Sequence, residues 1–208
     1  MILIGQYDSS FVRRIGIALT LYGIAFKHRP WSIVGDAERI RAVNPLIRVP
    51  TLILDDGDVI VDSPSMIDHI DGLVVPDDRL LPQAEPERRR AIRIMALATG
   101  LADKGVSLFY ETRLHDAPSP VWAERCRVQI AGVLAALETD RAALTTPFWF
   151  GAAPGHADIA VACAIRHVSE AHPGLIAAEA YPAVSAHCAT LEALPVFRQI
   201  SQPFIAPA

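Results

Sequence analysis

The first third of the chain has short apolar runs that alternate with one longer amphipathic segment. The run at residues 2–5 predicts a strand, and apolar residues at helical spacing across 11–22 predict a helix after it. A second β-prone stretch at 25–29 stops at a proline, and residues 36–43 suit a short helix with Asp36 as its N-cap. The opening pattern is therefore βαβ followed by a short helix.

The next segment contains the strongest turn signal in the sequence. Residues 51–54 and 59–61 are mostly apolar, and residues 55–58 between them read DDGD, which suits the backbone angles of a tight turn. These residues predict an antiparallel hairpin. Ser63 and Pro64 then predict a helix start, with the serine as N-cap and the proline at the first helical position, where a missing N–H costs nothing.

A polar stretch with several prolines separates this part of the chain from a purely helical pattern. We expect an α+β domain of order βαβ-α-ββα over residues 1–75, a linker over 76–86, and an all-α domain over 87–208. Beyond the linker the apolar positions recur at helical spacing, and they predict helices at residues 87–115, 121–144, 157–172, 182–194 and 196–200.

Composition narrows the classes of function. Of the 208 residues, 51% are hydrophobic and 20% are charged, which is typical of a globular protein. The net charge of −4 and the pI near 5.9 give no broad attraction for phosphate backbones, so nucleic acid is not an expected partner. Because we find neither a signal-peptide pattern nor an apolar run of the roughly 20 residues that a membrane helix needs, we expect a cytoplasmic protein with no membrane partner.

The spacing of cysteine and histidine argues against redox and metal chemistry. Cys126, Cys163 and Cys188 form no CxxC pair, and we expect them to be core residues. The seven histidines show no zinc-ligand spacing. No metal is predicted.

Three segments carry motifs that occur in the same order in a known enzyme family. Residues 7–19 read YDSSFVRRIGIAL, residues 44–52 read NPLIRVPTL, and residues 62–67 read DSPSMI. Together with the predicted order of elements, they resemble the cytosolic glutathione transferases of the serine type over nearly the whole chain. The resemblance implies a thioredoxin-like domain that holds glutathione as co-substrate, followed by a helical-bundle domain that shapes a pocket for a small apolar electrophile.

In the first motif, Ser9 falls on the family's catalytic serine, and Ser10 is the second choice. A hydroxyl at the N-terminal end of a helix is able to donate to a thiolate, and the helix dipole favours the negative charge. The alternative is that these serines only cap the helix. The resemblance favours Ser9 as the residue that stabilises the glutathione thiolate.

The other two motifs supply the expected glutathione-binding residues. The resemblance implies a cis bond between Val49 and Pro50, which turns the Val49 backbone toward the cleft for pairing with the cysteinyl part of glutathione. Arg48 either binds the glycyl carboxylate or is a solvated loop charge. Asp62 is expected to face the ammonium and Ser63 to hold the γ-glutamyl carboxylate. The alternative is that both only end a strand and cap a helix.

Ile47 and Gly155 are among the positions that depart from the family's pattern. Ile47 stands where the family often has glycine. In the helical half, residues 151–160 resemble a capping segment in which Asp158 reaches back to the helix start, but Gly155 occupies the usual serine or threonine position, so half of the capping box is missing. His156 beside it is expected at the surface.

The pocket for the second substrate is placed only by analogy with the family. It is expected between the loop that carries Tyr7 and Phe11 and the long helix that carries Leu101, Lys104 and Leu108, with Tyr110 as a further candidate. These residues suit the protein core equally well, and for each of the two leucines the core is the favoured interpretation. Family members usually pair, so a homodimer is expected.

The expected activity is conjugation of glutathione to a small apolar electrophile. The first alternative is a glutathione-dependent isomerase of the maleylacetoacetate type, since the pair Ser9 and Ser10 partly resembles that class, although Phe11 and Val12 replace its Cys-Ser continuation. The second alternative is a transferase-like binding module without turnover.

Overall fold

The strands predicted in the N-terminal half pair into one mixed sheet. In the computed structural model, which describes residues 1–206, the strands are β1 (Ile2–Ile4), β2 (Lys27–Arg29), β3 (Thr51–Ile53) and β4 (Val59–Val61). Their spatial order is β2-β1-β3-β4, with β2 parallel to β1 and the two remaining pairs antiparallel. Leu3 lies opposite His28 on one side and Leu52 on the other. The predicted hairpin is confirmed as β3 and β4.

Three helices complete this half: α1 (Ser10–Leu21), α2 (Ala37–Arg41) and α3 (Ser63–Asp71). Asp36 is the N-cap of α2 as predicted, but its carboxylate accepts from the N–H of Ser32 and holds the preceding turn. The start of α3 differs by one position from the prediction. Asp62 is its N-cap and Ser63 its first residue, because the chain turns at Asp62 with φ 73°.

The second half is helical throughout. It contains α4 (Glu87–Leu114), α5 (Pro120–Ala142), α6 (His156–Ala171), α7 (Pro182–Glu192) and α8 (Pro195–Gln199), with short 3-10 turns at Pro76–Asp78 and Ala178–Ala180. The predicted fold class, an α+β thioredoxin-like domain followed by an all-α domain, is confirmed. In the part of the chain that the structure describes, no helix combines the length and apolar character needed to cross a bilayer.

Helix α6 is the element on which the two halves meet. It packs against α4 on one side and against α1 on the other, and its alanines, Val161 and Val168 are buried. Gly105 of α4 permits the close approach, since a Cβ there would lie 2.6 Å from Cγ2 of Val168. The packing of α1 against α6 fixes the N-terminal end of α1 relative to the helical half.

Arg13, the first arginine of the pair after Ser9, is a structural residue at this junction. Its guanidinium is buried and donates to the Glu192 carboxylate, with Nη2 2.8 Å from Oε2, and to the backbone carbonyls of Phe197 and Ile200, each at 2.8 Å. A buried guanidinium needs such partners. These bonds join α1 to α7 and α8.

The start of α6 shows why a glycine replaces the expected serine or threonine cap. The Asp158 carboxylate reaches back and accepts from the Gly155 N–H at 2.8 Å, as predicted, and it also accepts from the Trp149 N–H. A Cβ on residue 155 would lie only 2.6 Å from the backbone oxygen of Leu80. The segment before α4 therefore occupies the space that a serine side chain needs.

Candidate active site

A cavity of about 440 Å³ lies between the loops of the sheet and the helical half. Ser9 and Phe11 border it at the start of α1, and Arg48 and Val49 border it from the loop before β3. The opposite wall comes from α4, α6 and the C-terminal segment, through Asp103, Val106, Phe109, Tyr110, His167, Phe204 and Ile205. Residues of both halves thus meet around one space.

Of the two candidate serines, the structure places only Ser9 in this cavity. Ser9 is the N-cap residue of α1, with extended backbone angles, but its side chain makes no capping hydrogen bond within residues 1–206. Ser10 is buried, and its Oγ has no hydrogen-bond partner in that range. The Ser9 hydroxyl is therefore the one that is available to a bound molecule.

The loop before β3 is held by a side chain that sequence reasoning did not single out. Asn44 Nδ2 donates to the Arg48 carbonyl at 3.0 Å and to Thr51 Oγ1 at 2.9 Å. The bond between Val49 and Pro50 is cis, as the resemblance implies. Ile47 adopts φ 51°, the left-handed region that favours glycine, which accounts for the glycine usual at this position.

Arg48 lies at the rim of the cavity. Its side chain is 66% exposed, and its Nη2 is 4.0 Å from a carboxylate oxygen of Asp103 on α4, which is 59% exposed. An ion pair of this exposure and distance contributes little to folding stability. The guanidinium is consequently free to exchange Asp103 for another carboxylate.

The third motif borders a second, smaller recess of about 80 Å³ beside the main cavity. Asp62 and Pro50 contribute to its wall, whereas Ser63 does not. The Ser63 side chain is fully buried, and its Oγ lies 3.5 Å from Nη1 of Arg14. The first turn of α3 therefore packs the Ser63 hydroxyl inward, against Arg14.

Arg14 is a further residue that the sequence did not single out. It lies buried behind Asp62 and Ser63, and burial lowers its pKa to about 10, which still leaves it charged at neutral pH. Its Nε and Nη2 have no hydrogen-bond partner among residues 1–206. A buried positive charge thus stands behind the helix start that the resemblance assigns to the γ-glutamyl carboxylate.

The candidate pocket residues on α4 fall on different faces of the helix, and the two leucines are core residues, as the favoured interpretation had it. Leu101 and Leu108 belong to the core of the helical half, and the ammonium of Lys104 lies over the Trp122 ring at 5.6 Å on the α5 side. The α4 residues that border the cavity are Asp103, Val106, Phe109 and Tyr110. Successive helix positions turn by about 100°, so a small error in rotation selects a different face.

Of the two pocket residues expected in the first motif, Phe11 and Tyr7, only Phe11 borders the cavity. Phe11 borders both the cavity and the recess. The Tyr7 ring points the other way and stacks on His28, with ring centroids 3.9 Å apart. Burial raises the pKa of Tyr7 to about 12. Tyr7 is therefore a packing residue of the sheet and not part of the cavity wall.

The far side of the cavity contains a histidine held in one orientation. His167 Nδ1 lies 2.8 Å from the backbone oxygen of Asp8, next to Ser9 in the chain. Burial lowers the pKa of His167, although the bond to Asp8 opposes this. The C-terminal segment covers this region, since the backbone N–H of Phe204 donates to Glu170 and that of Ile205 donates to Asp8.

His156 is buried, contrary to the expectation of a surface position. Its Nε2 donates to Asp71 Oδ1 at 2.8 Å, and the Tyr22 hydroxyl donates to the same oxygen. Burial opposes ionisation of Asp71, but these hydrogen bonds outweigh it and lower the Asp71 pKa. Tyr22 also accepts from the Leu80 N–H. The network joins α1, α3, α6 and the segment before α4, away from the cavity.

Comparisons with known proteins agree with this arrangement. The family model described as Glutathione S-transferase, N-terminal domain, matches residues 3–76, and the model described as Glutathione S-transferase, C-terminal domain, matches residues 120–190. Maleylacetoacetate isomerase of Mus musculus is 28% identical over 97% of this chain and 92% of its own length. The uncharacterized GST-like protein YibF of Escherichia coli K12 is 34% identical, and that match spans 51% of this chain and 52% of YibF.

Solved structures match over essentially the full chain. A glutathione S-transferase from Methylobacterium radiotolerans, in complex with glutathione sulfonate, has a TM-score of 0.88 at 26% identity, covering 100% of this chain and 98% of that one. A glutathione transferase family member from Pseudomonas fluorescens Pf-5 with bound glutathione has a TM-score of 0.83 at 27% identity, covering 98% and 99%. The two domain models, the fold and the ordered motifs lead to one conclusion: the chain belongs to the glutathione S-transferase family.

Proposed function

We propose that this protein binds glutathione and catalyses attack of its thiolate on a small apolar electrophile. The observation that carries the proposal is the Ser9 hydroxyl, which lies in the cavity at the N-terminal end of α1 and makes no capping bond within residues 1–206. A hydroxyl at that place is able to donate to a thiolate, and the α1 dipole favours the negative sulfur. The sulfur–carbon bond forms as the leaving group departs with the electron pair.

The tripeptide is proposed to lie along the wall made by the N-terminal half. The Val49 backbone pairs with the cysteinyl part, while Arg48 at the rim binds the glycyl carboxylate in place of Asp103. Asp62 faces the ammonium beside the recess. The γ-glutamyl carboxylate is held by the N–H groups at the start of α3, including that of Ser63, with Arg14 as the positive charge behind them.

The second substrate is proposed to occupy the part of the cavity between Phe11, α4 and the C-terminal segment. Aromatic and aliphatic side chains dominate this part of the wall. Its carboxylates, Asp8 and Asp103, outnumber the single guanidinium of Arg48, which is assigned to glutathione. Such a wall favours an uncharged electrophile, because a second anion would meet carboxylates with no cation left to pair with it.

The second candidate function is glutathione-dependent isomerisation of the maleylacetoacetate type. It is supported by the match to the mouse maleylacetoacetate isomerase, which spans nearly the whole of both chains. Maleylacetoacetate carries two carboxylates, however, and the charges around the cavity disfavour it. A direct assay of cis–trans isomerisation, run beside the conjugation assay, distinguishes the two functions.

The proposal is tested by calorimetric titration with glutathione and by conjugation of 1-chloro-2,4-dinitrobenzene. We expect glutathione binding in wild type and in both serine variants, with turnover reduced in Ser9→Ala and retained in Ser10→Ala, whose lost hydroxyl is buried. Equal turnover in wild type and Ser9→Ala removes Ser9 from the mechanism. Glutathione binding without turnover of any electrophile favours a binding module, and no binding at all refutes the proposal.

The assembly and location of the protein stay predictions. We infer that it is a cytoplasmic homodimer, to be checked by light scattering and by cell fractionation. The domain boundaries are likewise proposed near residues 75 and 87. They are supported by the end of α3 at Asp71 and the start of α4 at Glu87.

A further inference from the structure

We infer that His167 selects aromatic second substrates that carry a hydrogen-bond donor, such as a phenol. This inference rests on the proposed function, because it assigns a ligand to the part of the cavity left for the electrophile. Its basis is the fixed orientation of the His167 ring and the single ring nitrogen that this orientation leaves for a ligand.

The tautomer follows from the partner of Nδ1. A backbone carbonyl only accepts hydrogen bonds, so Nδ1 of His167 carries the proton that it donates to the Asp8 oxygen at 2.8 Å. In a neutral imidazole the other nitrogen, Nε2, is then an acceptor. The neutral form is favoured here by burial, which lowers the His167 pKa.

Among the described residues, Nε2 is an unpaired ring nitrogen on a residue that borders the cavity. The His167 side chain borders the cavity although the residue is only 9% exposed, and Nε2 has no hydrogen-bond partner within residues 1–206. Nε2 is not fully enclosed by residues 1–206, whereas Nδ1 of His156 is both enclosed and unpaired. An acceptor in a small apolar cavity gains most from a ligand that donates to it, because an unpaired polar atom there is costly.

The surroundings of His167 specify an aromatic ligand. Phe204 lies edge-on to the His167 ring, with centroids 5.6 Å apart, and edge-on to Phe109 at 5.3 Å. Together with Phe11 these rings form an apolar wall for a planar group. Nδ1 of His167 bonds to the backbone oxygen of Asp8, the residue that directly precedes Ser9, so His167 lies where the opposite wall meets the loop of the proposed sulfur position.

The test measures binding of S-substituted glutathiones by calorimetry and needs no turnover. The probes are S-benzylglutathione and its 3- and 4-hydroxybenzyl and 3- and 4-methoxybenzyl derivatives. A methoxy group keeps the oxygen and removes the donor. We expect wild type to bind at least one hydroxybenzyl derivative about threefold to tenfold more tightly than its methoxy counterpart, the range expected for one net hydrogen bond.

Two variants of His167 distinguish the contributions of its two ring nitrogens to ligand binding. In His167→Asn the amide nitrogen is as many bonds from Cα as Nδ1, so it keeps the donation to Asp8 and removes the acceptor. We expect the preference for the hydroxybenzyl over the methoxybenzyl derivative to fall to about onefold. S-benzylglutathione, which has no donor on its ring, should still bind as in wild type. If this variant also loses S-benzylglutathione, His167→Gln decides, because its amide end reaches the Nε2 position and should retain the preference.

The inference is overturned if wild type shows no preference for a hydroxybenzyl derivative, or if His167→Asn keeps that preference. Where His167→Asn no longer binds S-benzylglutathione, loss of the preference in His167→Gln overturns the inference as well. It is also overturned if the preference disappears only in Tyr110→Phe, which would assign the partner to the hydroxyl on α4. Failure of the proposed function looks different, since S-benzylglutathione itself would then not bind to wild type.

Discussion

Removal of the Ser9 hydroxyl tests the proposed chemistry with little disturbance of the fold. A serine-to-alanine change at an N-cap usually costs about 1 kcal/mol, because it deletes a capping hydrogen bond. The Ser9 side chain makes no such bond within residues 1–206. We therefore expect Ser9→Ala to change the free energy of unfolding by less than about 0.5 kcal/mol.

The expected effect is on the ionisation of bound glutathione. A hydrogen bond to a charged group contributes about 1.5–3 kcal/mol, so its loss raises the pKa of the bound thiol by about one to two units. If the thiol pKa rises from about 6.5 to about 8, the thiolate fraction at about pH 6.5 falls roughly sixteenfold. Each remaining thiolate is about fivefold more nucleophilic, so the conjugation rate falls only about threefold.

The assay is a pH titration of thiolate absorbance in the glutathione complex, with the conjugation rate measured at each pH. We expect the Ser9→Ala curve to shift to higher pH. The rate deficit should vanish and then reverse at alkaline pH, where both proteins hold thiolate and that of the variant is the more nucleophilic. Ser10→Ala serves as the matched control and should titrate as wild type does. An unchanged thiol pKa in Ser9→Ala would refute the proposed hydrogen bond.

Three further predictions concern binding, packing and pH. Arg48→Ala should raise the KM for glutathione about tenfold without changing stability, and should leave the KM for the glycyl ethyl ester of glutathione unchanged. Gly155→Ser should lower the free energy of unfolding by about 1–3 kcal/mol in urea melts, since its Cβ would contact the Leu80 carbonyl, although serine is normally the better cap. Burial lowers the pKa of His156, so as the pH falls the unfolded chain takes up a proton at this histidine before the folded chain does. The free energy of unfolding should therefore fall as the pH decreases below about 6.5. Urea melts should show a shallower fall in His156→Gln, which keeps a donor to Asp71.

Each of these predictions has an outcome that contradicts it. An equal rise in KM for glutathione and its ester would make Arg48 a general loop residue. A more stable Gly155→Ser would show that the Leu80 segment moves aside. The same pH dependence in wild type and His156→Gln would assign the acid sensitivity to other groups, among them His167, whose pKa burial also lowers.

Much of the fold was predictable because its signals are local. The hairpin followed from a turn sequence between two apolar runs, and the order of helices in the second half followed from apolar spacing alone. The start of α3 was one residue off, since it depends on a left-handed turn at Asp62 that the sequence around it does not reveal. The cap of α6 was predicted as incomplete, but its reason, the Leu80 carbonyl, is distant in sequence.

The family, the cis bond before Pro50 and the choice of Ser9 as first candidate were predictable, because they depend on short motifs in a fixed order along the chain. The motifs do not reveal which faces of α4 and α6 border the cavity, that Ser63 and His156 are buried, or that His167 contacts Asp8. These properties arise where distant segments pack together, and the rotation of a helix in such a contact is set by all of its neighbours at once.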